Sequence, residues 1–183
     1  MHYSFSMPIA ITSFHTCRKN GTDYLVPFLS KPNNQWLTQG FYFWTDSDYF
    51  AKKWGKTHYK NKGENYCIMR FGLTFEKEYL LDLVGNVDDK IEFKIFYTQI
   101  CKKKSGKVNL GDVITYMRDI ESRILGAFSY KVIKLEDKRE LDLISIPFTQ
   151  NSKESIDIGP TGQQLCVFEN CYNFDKGKEV DYE

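Results

Sequence analysis

The stretch G-F-Y-F-W-T-D-S-D-Y-F-A-K-K-W-G, from Gly40 to Gly55, changes from a strand pattern to a helix pattern within a few residues. Phe41 to Trp44 is an aromatic run of the kind that favours a β-strand. From Tyr49 onward the aromatic residues recur at helical spacing. Polar residues that can cap a helix stand between the two parts: Thr45, Asp46 and Ser47. We therefore predict a strand that leads directly into a helix.

An earlier strand is predicted upstream of this block. Residues Ile9 to Cys17 read I-A-I-T-S-F-H-T-C, and strand alternation would place His15 on the opposite face from Phe14 and Thr16. A polar loop containing Gly21 and two prolines separates this strand from the next. The sequence thus carries a histidine on one strand and a tyrosine, Tyr42, on the following one.

The rest of the chain predicts strands at both ends of a helical middle. Residues from Val87 to Phe128 show apolar positions three and four apart, which is typical of helices. Strand patterns occur at Tyr66 to Leu73, Tyr79 to Val84, Tyr130 to Leu135, Leu141 to Pro147 and Gln163 to Phe168. We expect one α+β domain over residues 1–174 with a helical insertion at about 88–129. The charged tail, residues 175–183, is expected to be loose.

Composition limits the class of protein. The chain has 183 residues, which suits a single domain, and its formal net charge of +1 gives no overall attraction to nucleic acid or anionic lipid. Five cysteines without a C-x-x-C pair indicate reduced thiols and no zinc cage. No stretch is apolar for the roughly 18 residues that a membrane span needs, and there is no secretory signal pattern. We expect a soluble, cytoplasmic protein that requires no metal.

Two motifs in this order resemble a known superfamily. S-F-H-T at Ser13 to Thr16, followed by G-F-Y-F-W-T-D and A-K-K-W, is similar to the His-Tyr-[Glu or Gln] signature of ADP-ribosyltransferase folds of the diphtheria-toxin and poly(ADP-ribose) polymerase branch. The block beginning at Gly40 is particularly similar to small bacterial domains of that superfamily. The resemblance implies an ADP-ribosyltransferase-like split β-sheet core with flanking helices, and NAD as the ADP-ribose donor.

The resemblance also implies roles for individual residues. His15 would hold a ribose hydroxyl of NAD, the backbone of Thr16 would pair with the nicotinamide carboxamide, and Tyr42 would stack on the nicotinamide ring. The third signature position falls on Gln164, with Gln163 as the neighbouring option. Together His15, Tyr42 and Gln164 form the implied catalytic set, and no metal is needed to break the N-glycosidic bond.

A glutamine at the third position changes the chemistry that the resemblance implies. Most characterised enzymes of this type carry a glutamate there, whereas the small bacterial relatives often carry glutamine. A neutral amide can hydrogen-bond a ribose hydroxyl, but it cannot serve as a general base. Glu154 and Glu169 lie near Gln164 in the sequence and are the alternative acids.

The function that follows is an NAD-dependent mono-ADP-ribosyltransferase that modifies a macromolecular acceptor, either a protein or a nucleic acid. Such a protein would act in a bacterial or phage toxin, defence or effector system, with an antitoxin or immunity protein as a partner. One alternative is a non-catalytic module of the same fold that binds NAD or ADP-ribose. The other is an ordinary protein-interaction domain built from aromatic strands.

Two lysine groups also need an interpretation. Lys102, Lys103, Lys104 and Lys107 form either a solvated loop or a patch that contacts phosphates of a nucleic-acid acceptor. Lysines of the earlier block would extend that patch if the fold brought the groups together: Lys52, Lys53, Lys56, Lys60 and Lys62.

Overall fold

A seven-stranded, mostly antiparallel sheet forms the centre of the protein. The structure is a computed structural model that describes residues 7–19, 23–32, 35–169 and 171–180. The strands are β1 (Ile9–Arg18), β2 (Gly40–Thr45), β3 (Tyr66–Phe75), β4 (Leu80–Asp82), β5 (Val132–Leu141), β6 (Ile144–Pro147), β7 (Ser155–Ile158), β8 (Thr161–Phe168) and β9 (Lys178–Glu179). The order across the sheet is β4-β5-β8-β2-β1-β3-β9, and β6 pairs with β7 in a separate ribbon.

Three α-helices accompany the sheet: α1 (Tyr49–His58), α2 (Val87–Lys103) and α3 (Leu110–Arg123). Asn86 and Asn109 cap α2 and α3 through their side-chain oxygens, which accept backbone N–H groups of the first turn. At α1 the hydroxyl of Ser47 accepts the N–H of Tyr49, so one of the three expected capping residues bonds the helix start. The helical middle therefore forms as two helices between β4 and β5, which run parallel.

The predicted α+β class is confirmed, because helices and a large antiparallel sheet share one chain. The ADP-ribosyltransferase type of split sheet stays a prediction. Several boundaries were wrong. Of the expected strand Tyr79 to Val84 only Leu80–Asp82 forms a strand, β4, directly after a 3₁₀ turn at Lys77–Tyr79, and β7 was not expected. The segment predicted from Leu141 to Pro147 divides between the end of β5 and the separate ribbon.

The C-terminal tail is ordered where it meets the sheet. Lys178 and Glu179 form β9 against Arg70 and Met69 of β3, and the N–H of Val180 donates to the carbonyl of Ile68 at 2.8 Å. The expectation of a loose tail is therefore wrong for this part, while residues 181–183 lie outside the described residues. Charged composition did not reveal the pairing because a sheet edge supplies backbone hydrogen bonds to any sequence.

The helices cover one face of the sheet at two places. Against β1, β2 and β3, α1 packs Phe50 and Ala51 onto Phe14, Trp44 and Ile68. On the other side α2 and α3 pack onto β4, β5 and β8 through a larger apolar cluster, which includes Ile100, Val113, Ile114, Met117, Ile133 and Cys166. The two groups of helices thus pack on different parts of the same face, α1 on β1, β2 and β3, and α2 with α3 on β4, β5 and β8. The opposite face of the sheet is buried in a third apolar cluster. The partly buried side chains of Tyr172 and Phe174 pack against this cluster.

Gly40 is fixed by its close approach to β8. A Cβ at this position would lie 2.6 Å from the carbonyl oxygen of Val167 and 2.5 Å from the sulfur of Cys166. We expect Gly40→Ala to destabilise the fold by about 1–3 kcal/mol, because the backbone of β8 cannot yield without losing its ladder. Urea unfolding would measure the change.

The matched control is Gly72→Ala on β3, where an added Cβ meets no atom within 4 Å. We expect this variant to unfold within about 0.5 kcal/mol of wild type. Equal stability of Gly40→Ala and Gly72→Ala would contradict the importance of the close approach.

Candidate functional site

A cleft of about 590 Å³ lies where the ladder between β1 and β2 ends. The two strands pair at Ser13–Thr45 and Phe14–Trp44, and the pairing stops there although both strands continue. From that point β1 continues its ladder with β3, and β2 continues its ladder with β8. The four residues that the sequence predicted for the site all line this cleft: His15, Thr16, Tyr42 and Gln164. The volume lies within the range of small-molecule pockets.

His15 is held at the end of the β1–β2 ladder. Its Nδ1–H donates to the carbonyl of Tyr42 at 2.8 Å, which leaves Nε2 to accept the backbone N–H of Phe28 at 3.4 Å. The ring also contacts Phe28 edge-on, with ring centroids 4.6 Å apart. Burial lowers the pKa of His15 to about 4, against the opposing effect of the Tyr42 carbonyl. The side chain is therefore a neutral imidazole at physiological pH.

Thr16 presents its backbone to the same opening. The carbonyl of Thr12 accepts the N–H of Asp46 at 3.0 Å, so Thr12 directs its backbone groups toward β2. Because direction alternates along a strand, Thr16 directs its N–H and carbonyl to the same side, beyond the last β1–β2 pair. The Thr16 hydroxyl donates to the carbonyl of Ala51 at 3.1 Å and ties β1 to α1. An amide-bearing ligand in the cleft would meet this backbone.

The ring of Tyr42 is held in place by two hydrogen bonds between its hydroxyl and the backbone of Thr38. Its hydroxyl donates to the carbonyl of Thr38 at 2.7 Å and accepts the Thr38 N–H at 3.2 Å. Burial raises the pKa of the phenol well above its usual range, so Tyr42 stays protonated. Both hydrogen bonds are local and hold the ring in a fixed place, which suits a stacking surface better than a proton donor.

Gln164, rather than Gln163, belongs to the cleft. Gln164 pairs with Trp44 of β2 and Leu135 of β5, and its side-chain oxygen accepts the indole N–H of Trp36 at 3.3 Å. Gln163 points to the opposite face by strand alternation and is not among the described residues that line the cleft. The structure therefore distinguishes Gln164 from Gln163 as the residue that lines the cleft, a choice that the sequence left open.

The walls of the cleft are aromatic. All three tryptophans of the chain line it: Trp36, Trp44 and Trp54. Trp54 and His58 come from α1, while Phe28, Lys31 and Trp36 come from the segment before β2. The indole of Trp54 and the imidazole of His58 are stacked, with centroids 4.2 Å apart and planes inclined by 14°. Such walls suit flat heterocyclic rings.

Asp137 is the residue that sequence reasoning missed. It is the one acidic residue among the described residues that line the cleft, and it is 4% exposed. Asp137 faces Gly162 of β8, and its diagonal neighbour on the same face of the sheet is Gln164. The register shifts immediately after Asp137, and such bulges often re-aim side chains next to active sites. Its surroundings in the sequence, L-E-D-K-R-E, resemble an ordinary solvated strand.

The two acids that sequence reasoning offered do not lie in the cleft. Glu154 is exposed before β7, and Glu169 is exposed in the turn after β8. Neither is among the described residues that line the site. Burial raises the pKa of the Cys166 and Cys171 thiols, which favours their protonated form over the nucleophilic thiolate.

The two lysine groups occupy different positions. Lys102 and Lys103 are exposed in the last turn of α2, where basic residues favour the helix dipole. Lys56 lies in the last turn of α1, and Lys60 and Lys62 lie in the 3₁₀ turn that follows. Neither group is among the described residues that line the cleft, but the second group shares its segment with Trp54 and His58, which do line it.

No group of three His, Cys, Asp or Glu side chains in the described part of the chain is arranged to hold a metal ion. Of the helices that the structure describes, none has the length and apolar character of a membrane span. No protein-family model matches the chain, and no curated protein or solved structure matches it.

Proposed function

We propose that the protein is an NAD-dependent mono-ADP-ribosyltransferase that modifies a macromolecular acceptor. The observation that carries the proposal is the presence of His15, Tyr42 and Gln164 in one cleft, although 27 residues separate the first two and the third lies in a late strand. The backbone of Thr16 beside the open end of the ladder adds a place for a carboxamide. The resemblance to ADP-ribosyltransferases is the reason for interpreting this arrangement as an NAD site.

Binding follows from the contacts of the cleft. The nicotinamide ring stacks on Tyr42, and its carboxamide pairs with the Thr16 backbone. The Nε2 atom of His15 exchanges its long bond with the Phe28 N–H for a ribose hydroxyl. The Gln164 side chain, positioned by Trp36, holds a second ribose hydroxyl through its amide. A neutral His15 suits this role because it can accept a hydrogen bond.

Transfer breaks the bond between the ribose C1′ and the nicotinamide nitrogen. The electron pair of that bond leaves with nicotinamide and neutralises its positive charge. The acceptor's nucleophilic atom forms the new bond to C1′, and its proton passes to a carboxylate. Asp137 supplies this carboxylate from the neighbouring strand, because Gln164 cannot take up a proton. A carboxylate here also stabilises the positive charge that develops on the ribose.

Labelled NAD tests the proposal. The protein is incubated with NAD labelled on the adenylate part and with a cell lysate or purified RNA, beside His15→Ala and Tyr42→Ala. We expect label on a macromolecule with wild type and its loss in both variants. Equal labelling by all three proteins would overturn the assignment.

Tyr42 offers a finer test of stacking. Tyr42→Ala removes the ring, and we expect NAD affinity to fall roughly 10- to 100-fold, as stacking contributes about 1–3 kcal/mol. Tyr42→Phe retains the ring but loses both hydrogen bonds to Thr38, so its affinity should fall much less. Quenching of tryptophan fluorescence by NAD provides the measurement, since all three tryptophans line the cleft. Equal losses in the two variants would argue against stacking.

A second candidate is a non-catalytic module that binds NAD or ADP-ribose. The glutamine at position 164 favours it, because the usual carboxylate is absent there. This candidate predicts a calorimetric signal for NAD binding without release of nicotinamide. Nicotinamide release by wild type that disappears in the Tyr42→Ala variant would exclude it.

A further inference from the structure

A stacked aromatic pair with one exposed ring stands where α1 borders the cleft. Trp54 and His58 stack at 4.2 Å, and His58 Nδ1–H donates to the carbonyl of Trp54 at 3.1 Å, which keeps the two rings parallel. Trp54 is partly buried against the cluster around Phe50, whereas His58 is exposed. A planar ring that enters the cleft from outside can therefore extend this stack.

The segment that carries the pair is strongly basic. Residues 51–63 read A-K-K-W-G-K-T-H-Y-K-N-K-G, with five lysines and no acidic residue, although the whole chain has a net charge of only +1. Of the nearest acids along the sequence, Asp48 pairs with Lys52 at 3.0 Å and offsets one of the five charges, whereas Glu64 pairs with Arg18 at 2.6 Å. Lys31, which lines the cleft, adds a further positive charge. The local charge is thus positive beside an aromatic platform.

We propose that the acceptor is a single-stranded nucleic acid, with one base on the Trp54–His58 platform and its phosphates along the exposed side chains of Lys56, Lys60 and Lys62. The inference rests on the proposed function, and it names the acceptor class for the same cleft. Aromatic stacking beside a basic groove is how proteins bind single strands. The adenine of NAD could use the same platform, but Lys56, Lys60 and Lys62 are not among the described residues that line the cleft in which NAD would bind. An acidic protein would use the lysines without the rings.

Two matched triple variants separate this surface from general charge. Lys56→Gln/Lys60→Gln/Lys62→Gln removes three exposed positive charges beside the platform, and Lys102→Gln/Lys103→Gln/Lys104→Gln removes three at the end of α2. The probe is a fluorescein-labelled 12-nucleotide single-stranded RNA or DNA, measured by anisotropy at several salt concentrations. Its duplex and a labelled polyglutamate peptide are the comparison probes.

We expect wild type to bind the single strand at least tenfold more tightly than polyglutamate. The variant beside the platform should bind at least tenfold more weakly, and its salt slope should fall by roughly two. The α2 variant should stay within twofold of wild type. His58→Ala should weaken binding several-fold with an unchanged salt slope, because it removes stacking and no lysine contact.

Equal losses in the two triple variants, or polyglutamate binding as tight as that of the oligonucleotide, would overturn the inference. So would full displacement of the oligonucleotide by NAD, which would assign the platform to adenine. A labelled-NAD reaction that marks proteins of a lysate and never an oligonucleotide would refute the acceptor class while the transferase assignment stands. Absence of NAD binding would refute the transferase assignment, and with it the acceptor role, even where the anisotropy results hold.

Discussion

Replacing Asp137 by asparagine is expected to lower the rate of ADP-ribosyl transfer by roughly 10²- to 10⁴-fold, which is the usual contribution of a positioned general base. The side chain lines the cleft and lies diagonally across from Gln164 on the neighbouring strand. Asparagine has nearly the same shape but cannot take up the acceptor's proton. NAD affinity should therefore change only a few-fold, because the proposed ribose contacts are those of His15 and Gln164.

Two measurements on the same preparation distinguish a catalytic role of Asp137 from a purely structural role. Calorimetry with NAD reports binding, and labelled transfer under single-turnover conditions reports the chemical step. Asp157→Asn, on the exposed strand β7, is the matched control and should transfer at the wild-type rate. A transfer rate for Asp137→Asn within threefold of wild type would remove Asp137 from the mechanism. Parallel losses of binding, transfer and thermal stability would instead indicate a purely structural role.

Acid is expected to destabilise the fold through His15. The folded-state pKa of about 4 lies below the ordinary value of 6.5, so the unfolded chain binds a proton that the folded protein excludes. The stabilisation is complete above about pH 6.5 and is lost as the pH falls through about 4. The difference of the two pKa values corresponds to about 3 kcal/mol in the free energy of unfolding.

Urea unfolding at pH 7 and at pH 4 measures this loss. His15→Gln retains an N–H that can donate to the Tyr42 carbonyl but does not titrate, so it should lose about 3 kcal/mol less than wild type between the two pH values. His58→Ala replaces an exposed histidine and should show the same loss as wild type. If His15→Gln and wild type lost stability equally, protonation of His15 would not be the cause.

Sequence patterns succeeded where the signal is local. The alternation around β1 and the aromatic run of β2 predicted both strands, and asparagine caps accompany the two helices of the middle region. The patterns failed at Lys178 and Glu179, whose pairing with β3 depends on an edge far away in the chain. They also failed at β4, where only three residues find a parallel partner in β5.

For the candidate site, too, the sequence identified the residues that lie in local motifs and missed those that depend on strand pairing. His15 and Tyr42 could be selected from two motifs because each motif is short and their order is specific. The sequence could not decide between Gln164 and Gln163, because the face to which each side chain of β8 points is known only when its partner strands are known. Asp137 carried no signal at all, since its position beside Gln164 arises from the pairing of β5 with β8.

The sequence alone determined the α+β class, the two strands that carry His15 and Tyr42, and the basic character of the segment around Trp54. These properties follow from side-chain periodicity and charge, which neighbouring residues define. Only the tertiary structure decided which face of β8 meets the cleft, that Asp137 lines it, and that Trp54 and His58 stand at its border. Those facts depend on register and on the end of the β1–β2 ladder, where residues distant in the chain are brought together.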